Sequence, residues 1–189
     1  MTQRHLSMLT KLHLGCGTEI LPGWVNVDCA ALPGVDLVHD LNVLPLPFAD
    51  GSADEVRCQD VFEHVNYAPL LKECHRILAL GGRIHIRVPH FTSHNNFIDP
   101  THINQFSVKT FNFFVADSFE GKFRGYYFDF KFARCARKRI TFPKTKPLNL
   151  WNTPMEWLVN RSSRCQTFYE LTGWSRLFPA ENLEITLVK

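Results

Sequence analysis

Cysteine is scarce: the 189 residues contain six, and none of them forms a C-x-x-C pair. That scarcity excludes a disulfide-stapled small domain and a zinc ribbon, and it fits reduced thiols in a cytoplasmic protein. Long apolar runs are absent too. No stretch approaches the ~20 residues of a membrane-spanning helix, so no membrane insertion is expected. The opening segment, MTQRHLSMLTKLHL, lacks the apolar centre of a secretory signal. Charge of one sign is also in short supply. Lysine and arginine number 21 against 18 acidic residues, and a net +3 is too mild to point to nucleic acid by itself. The remaining 45% hydrophobic content is that of an ordinary globular chain, and a single domain over 1–189 is expected.

Short apolar runs that stop at small or acidic residues predict strands. Lys11–Leu14 meets Gly15-Cys16-Gly17, Trp24–Val27 ends at Asp28, Val35–Val38 leads to Asp40, and Glu55–Gln59 leads to Asp60. Tyr67–Leu78 has a helical period, with Leu70, Leu71, Cys74, Ile77 and Leu78 on one face. Gly81-Gly82 is expected to close that helix, and Arg83–Val88 reads as the next strand. Strands interleaved with helices imply a largely parallel sheet covered on both faces. Further on, Ser107 is placed to cap a short helix reaching about Asp117. Tyr126–Phe132 has the period of a half-buried strand, Pro154 suits the first turn of a helix through Val159, and Leu183–Val188 reads as the last strand.

The first chemical signal is Leu14-Gly15-Cys16-Gly17. A strand ending in Gly-x-Gly turns sharply and lets backbone approach a ligand that a Cβ would exclude. Asp28 then closes the second strand, where a doubly wound sheet offers a carboxylate to ribose hydroxyls. The interval from Gly15 to Asp28 is 13 residues, against ~20 in dinucleotide binders, so the first crossover must be short. Asp40 and Asp60 follow the third and fourth strands. Each alone suits turn capping, but three in succession after a glycine loop mark one ligand-binding edge.

The stretch LHLGCG–GWVNVD–VHDL–LPFADGSADEV–DVFEHV–LLKECHRILALGGRIHIRVPH resembles a class I S-adenosylmethionine-dependent methyltransferase. In particular, it resembles the small bacterial members found beside sugar-transfer genes. The close match covers about residues 11–90, and the tail from Phe168 adds to it. The resemblance implies a Rossmann-like three-layer α/β/α sandwich, mostly parallel, with the last strand (183–189) inserted antiparallel between the fifth and sixth. Residues 91–182 would supply acceptor-side elements and a lid. It also implies S-adenosyl-L-methionine as cofactor. Gly15, Cys16 and Gly17 would lie against its methionine portion, Asp28 on the ribose, Asp40 and Leu41 near adenine, and Asp60 and Val61 beside the methionine amine and sulfonium. Glu63-His64 matches the family's EH pair, for which a structural role and a ligand contact both stay open. Leu80 stands where the family has proline.

On the acceptor side, His90 leaves the fifth strand at its carboxyl end, and Asp99-Pro100-Thr101-His102 resembles the family's DPxH element. A histidine oriented by a carboxylate suits a general base near neutral pH, so His90, His102 and Asp99 are the catalytic candidates. His90, His94, Asp99 and His102 also have metal-ligand chemistry, yet their spacing matches no closed site and members of the family work without metal, so none is expected. The basic residues Lys131, Arg134, Arg137, Lys138, Arg139, Lys144 and Lys146 read as a solvated face. The expected partner is a small-molecule acceptor such as a sugar or glycoconjugate, and the chain is expected to be a monomer or homodimer. RNA methylation through the basic 131–146 segment and a non-catalytic cofactor-binding role are the alternatives.

Overall fold

Alternating side chains along the central strands sort one face of the sheet from the other. In the computed structural model, which describes residues 10–189, seven strands form one sheet. The reading of the opening segment falls largely on residues 1–9, outside the described residues. The strands are β1 (Thr10–Leu14), β2 (Val25–Asp28), β3 (Leu37–Val38), β4 (Ala53–Gln59), β5 (Leu78–Pro89), β6 (Arg134–Ile140) and β7 (Asn182–Val188), ordered β3-β2-β1-β4-β5-β7-β6. β1 to β5 run parallel, and β7 is antiparallel to both β5 and β6, as expected of the last strand.

Leu14 lies opposite Cys58, Cys58 opposite Ile86, and Ile86 opposite Ile185, so one apolar ladder crosses four strands. Helix α1 (Tyr67–Ile77) covers this face with Leu70, Leu71, Cys74 and Ile77, all fully buried. Each such aliphatic side chain contributes about 1.5–3 kcal/mol on leaving water. The helix stops one residue before Leu78, which is extended and pairs with Ala53. Gly81, at φ +81°, therefore turns the start of β5 rather than capping α1.

The other face of the central strands is polar. Lys11 pairs with Glu55 at 2.9 Å, His85 reaches Glu55 at 2.9 Å and Thr186 at 3.1 Å, and Arg137 pairs with Glu184 at 3.2 Å. The apolar side of the central sheet is thus the face that α1 covers. The links β1–β2, β2–β3 and β3–β4 contain no helix, which agrees with the short first crossover read from the sequence.

The second half departs further. α2 (Asn95–Ile98) is one turn long, and the helix expected after Ser107 is a 3-10 helix over Thr110–Phe114. Phe128, Phe130 and Phe132 do face inward, with Phe128 and Phe130 packing on Phe114 at 4.4 and 5.4 Å between ring centres. Their backbone, however, makes a single bridge, Val115 to Phe132, so the sixth strand is the basic segment Arg134–Ile140 instead. α3 (Phe119–Phe123), α4 (Asn149–Val159), α5 (Ser163–Leu171) and α6 (Trp174–Leu177) complete the chain. Pro154 lies inside α4, beyond its first turn. No helix among the described residues is long and apolar enough to cross a membrane.

Candidate active site

Because β1 to β4 are parallel neighbours, the residues that follow them share one edge of the sheet. Gly15 and Cys16 leave β1 by donating their N–H groups to Val27 O at 2.8 and 3.0 Å. Gly15 has φ +66°, and a Cβ there would sit 2.3 Å from Val61 Cγ2. Only glycine allows this close packing between the ends of β1 and β4. Gly17 N donates to Asp28 Oδ2 at 2.7 Å, and Ala30 N donates to Asp28 Oδ1 at 3.0 Å. Partial burial pushes the Asp28 carboxyl up, but these backbone donors outweigh it and hold the group below its ordinary value. A charged acceptor is thereby fixed against the glycine bend.

Asp40 follows β3, where its Oδ1 accepts from Asn42 N at 2.9 Å, while Leu41 is buried beside it. Asp60 follows β4 at φ +53°, a conformation costing about 1 kcal/mol for a non-glycine residue and typical of functional turns. Its carboxylate is paired with the Arg87 guanidinium from β5. All eight cofactor candidates, Gly15, Cys16, Gly17, Asp28, Asp40, Leu41, Asp60 and Val61, thus lie at the carboxyl ends of β1 to β4. The edge spans the point between β1 and β4 where strand order reverses, the position at which open α/β sheets bind ligands.

Beside Asp60 is a hollow of about 290 Å³ lined by Glu63, His64, Asn95, Asp99 and His102, and bounded by Pro89 and Asn182. Two loops build it and are laced together. Glu63 O accepts from Ile103 N at 2.8 Å, and the Asn104 side chain donates to Phe62 O at 2.8 Å and Val65 O at 2.7 Å. Glu63 is fully buried, and burial together with the Asp60 charge pushes its carboxyl up to about 8. His64 is lowered, first by burial and then by the adjoining His102.

The catalytic candidates divide. His102 and Asp99 line the hollow, but Asp99 Oδ1 accepts from Thr101 N and Oγ1, at 2.9 and 2.6 Å, rather than from His102. His90 does not line the hollow. It is fully buried, with Nδ1 2.8 Å from Thr92 Oγ1 and Nε2 3.0 Å from Glu170 Oε1, so both ring nitrogens are engaged within the structure. Part of the basic run is held by intramolecular partners, and Arg134, Arg137, Lys144 and Lys146 stay exposed. Arg139 and Lys144 share Glu156, Lys138 donates to Asn112 Oδ1 at 2.6 Å, and Lys131 donates to Phe113 O. Asn95, Asn104 and Asn182 were not singled out from sequence; nothing distinguishes them there from ordinary loop asparagines.

Residues 12–86 match the family profile described as a methyltransferase domain. Solved structures align across nearly the whole chain. One is an S-adenosylmethionine-dependent methyltransferase from Archaeoglobus fulgidus, 18% identical, with a TM-score of 0.55 over 95% of this chain and 86% of that one. The fold is a methyltransferase fold. The YcgJ protein of Bacillus subtilis aligns at 16% identity and a TM-score of 0.54, over 95% of this chain and 91% of that one. A protein of Methanocaldococcus jannaschii is 34% identical over 86 residues, 41% of this chain and 38% of that protein, so the chain spans well under half its length. The methyltransferase fold accounts for the edge geometry: the segment matching the profile carries every one of the eight cofactor candidates.

Proposed function

We propose that the chain is an S-adenosylmethionine-dependent methyltransferase whose acceptor is a small hydroxylated molecule, of the sugar or glycoconjugate class. The observation that carries this reading is the convergence of Gly15, Gly17, Asp28 and Asp60 on one edge of a methyltransferase-type sheet. The residues present fit the cofactor. Gly15 presents backbone with no room for a side chain, and Asp28 is held ionised with lone pairs left for ribose hydroxyls. When bound, the sulfonium supplies an activated methyl group, so the protein's task is to bind, orient and dry the site. Asp28 fixes the ribose, the Gly15–Gly17 bend admits the methionine portion, and Asp60 sets a carboxylate at the mouth of the hollow. The hollow holds the acceptor, and His102 and His64 are the groups there able to take a hydroxyl proton.

Asn95 also lines a second, larger hollow of about 930 Å³ walled by Phe97, Leu148, Trp151 and Phe178. Aromatic walls interspersed with the polar side chains of Asn95, Asn152 and Glu181 suit a sugar ring or a longer glycoconjugate, which supports that acceptor class. The test is calorimetric titration with S-adenosylhomocysteine, followed by transfer of labelled methyl from the cofactor to nucleotide sugars and glycan extracts. Binding in the micromolar range is expected, and Asp28→Ala weakens it about tenfold or more, the size of a lost charged hydrogen bond. A folded wild-type protein that releases no heat with the ligand would overturn the reading.

A further inference from the structure

Among the described residues, Glu63, His64 and His102 place one carboxylate oxygen and two imidazole nitrogens within 4.8 Å of one another. Two of the three residues are unusual in presenting buried polar atoms with nothing else to bind. Both Glu63 oxygens, fully buried, have no hydrogen-bond partner among the protein's groups, and neither does the buried Nδ1 of His102. A buried carboxylate left unpartnered costs several kcal/mol unless a proton or a cation satisfies it.

The third donor is prepared by its neighbours. Thr101 Oγ1 gives its single proton to Asp99 Oδ1 at 2.6 Å, so toward His64 Nδ1, 2.7 Å away, it acts as acceptor. His64 is therefore the Nδ1–H tautomer, with its Nε2 lone pair left for a ligand. An outer hydrogen bond that fixes the tautomer in this way is the usual support of a metal-binding histidine. The His64 and His102 rings meet edge-on with centres 4.6 Å apart. Asp60, paired with Arg87, and Asp99 line the same hollow.

We propose that Glu63, His64 and His102 form a binding site for a divalent first-row transition-metal ion. Two imidazoles and one carboxylate match the donor preferences of zinc, iron(II) and manganese. Bonds of about 2.1 Å place tetrahedral donors about 3.4 Å apart, within the 4.8 Å limit that the three groups already meet. The hollow provides its entry path and leaves the remaining coordination positions open. Resting on the methyltransferase reading, this site specifies the acceptor further. With both imidazole lone pairs given to the ion, the histidines would not take the acceptor's proton themselves. The ion would instead lower the pKa of a hydroxyl bound to it beside Asp60, whose proton passes to solvent.

The test titrates Co²⁺ and Zn²⁺ into metal-free protein, following the visible Co²⁺ spectrum and the heat of binding, with S-adenosylhomocysteine titrated in parallel. One ion per chain is expected. Glu63→Gln and His102→Asn weaken its affinity at least a hundredfold, and Thr101→Val, which removes only the outer hydrogen bond, weakens it about tenfold or more. The parallel titration keeps the two readings apart, because the Asp28 side of the edge is untouched by these substitutions. Folded wild-type protein that binds neither ion stoichiometrically overturns the proposal. So does undiminished binding in both Glu63→Gln and His102→Asn, with circular dichroism confirming that each is folded.

Discussion

Gly15 and Gly17 both adopt positive φ, yet their surroundings differ enough to predict different outcomes. At Gly17 a Cβ would meet nothing within 4 Å, so Gly17→Ala incurs only the backbone penalty, about 1 kcal/mol. At Gly15 the same methyl would lie 2.3 Å from Val61 Cγ2, adding an overpacking cost of about 1–3 kcal/mol. Urea unfolding should therefore rank Gly15→Ala clearly below Gly17→Ala, and Val61→Ala should restore part of the loss only in the Gly15→Ala background. Equal destabilisation by the two substitutions would show that the Val61 contact does not constrain the bend. This feature was legible in the sequence because positive φ and close approach leave glycine as almost the only choice. The surroundings of His90 were not legible at the same scale. Its place after β5 suggests the binding edge, but whether a side chain there turns outward depends on Glu170, 80 residues away in sequence.

At the scale of elements, the loops after β4 and β5 act as one unit because Asn104 joins them. Asn104→Ala leaves the carbonyls of Phe62 and Val65 without their donor, a loss of about 1–3 kcal/mol. The consequence falls on the hollow rather than on the Gly15–Asp28 side. Methyl transfer should drop by at least tenfold while affinity for S-adenosylhomocysteine changes less than threefold. A variant losing both in parallel would mean that the two halves of the edge are not separable. The parallel strands and α1 were legible because their patterns are local: aliphatic runs that end in glycine or aspartate, and one apolar helical stripe. The Phe128–Phe132 alternation also showed which side chains are buried. It could not show that the backbone lacks a strand partner, since pairing is decided by β7, about 50 residues further on. The Glu63-His64 pair was visible, but its meeting with His102 depends on the Asn104 tie rather than on any spacing.

For the whole molecule, stability against pH combines groups of opposite sign, and a difference measurement separates them. His13 is buried in the sheet, its pKa lowered first by burial and then by the neighbouring Arg57 guanidinium. It is neutral in the fold, but in the unfolded chain it takes up a proton as pH falls below about 6.5. The unfolded state then binds more protons, so the contribution of His13 is complete above pH 6.5 and is lost as pH falls toward its lower folded value. Glu63, pushed up to about 8, works in the opposite direction across part of this range, so the raw profile mixes signs. Comparing wild type with His13→Gln removes every titration the two proteins share. The stability of wild type relative to the variant, from urea midpoints at pH 7.5, 6.0 and 5.0, should decline steadily with acidification. His75, also lowered chiefly by burial and held 3.1 Å from Lys131 O, should behave the same way in His75→Gln. A relative stability that is constant, or that grows toward pH 5, would mean that His13 gains a proton in the folded state as readily as in the unfolded chain. The polar face of β1, β4 and β5 would then be more open to water than its ion pairs imply.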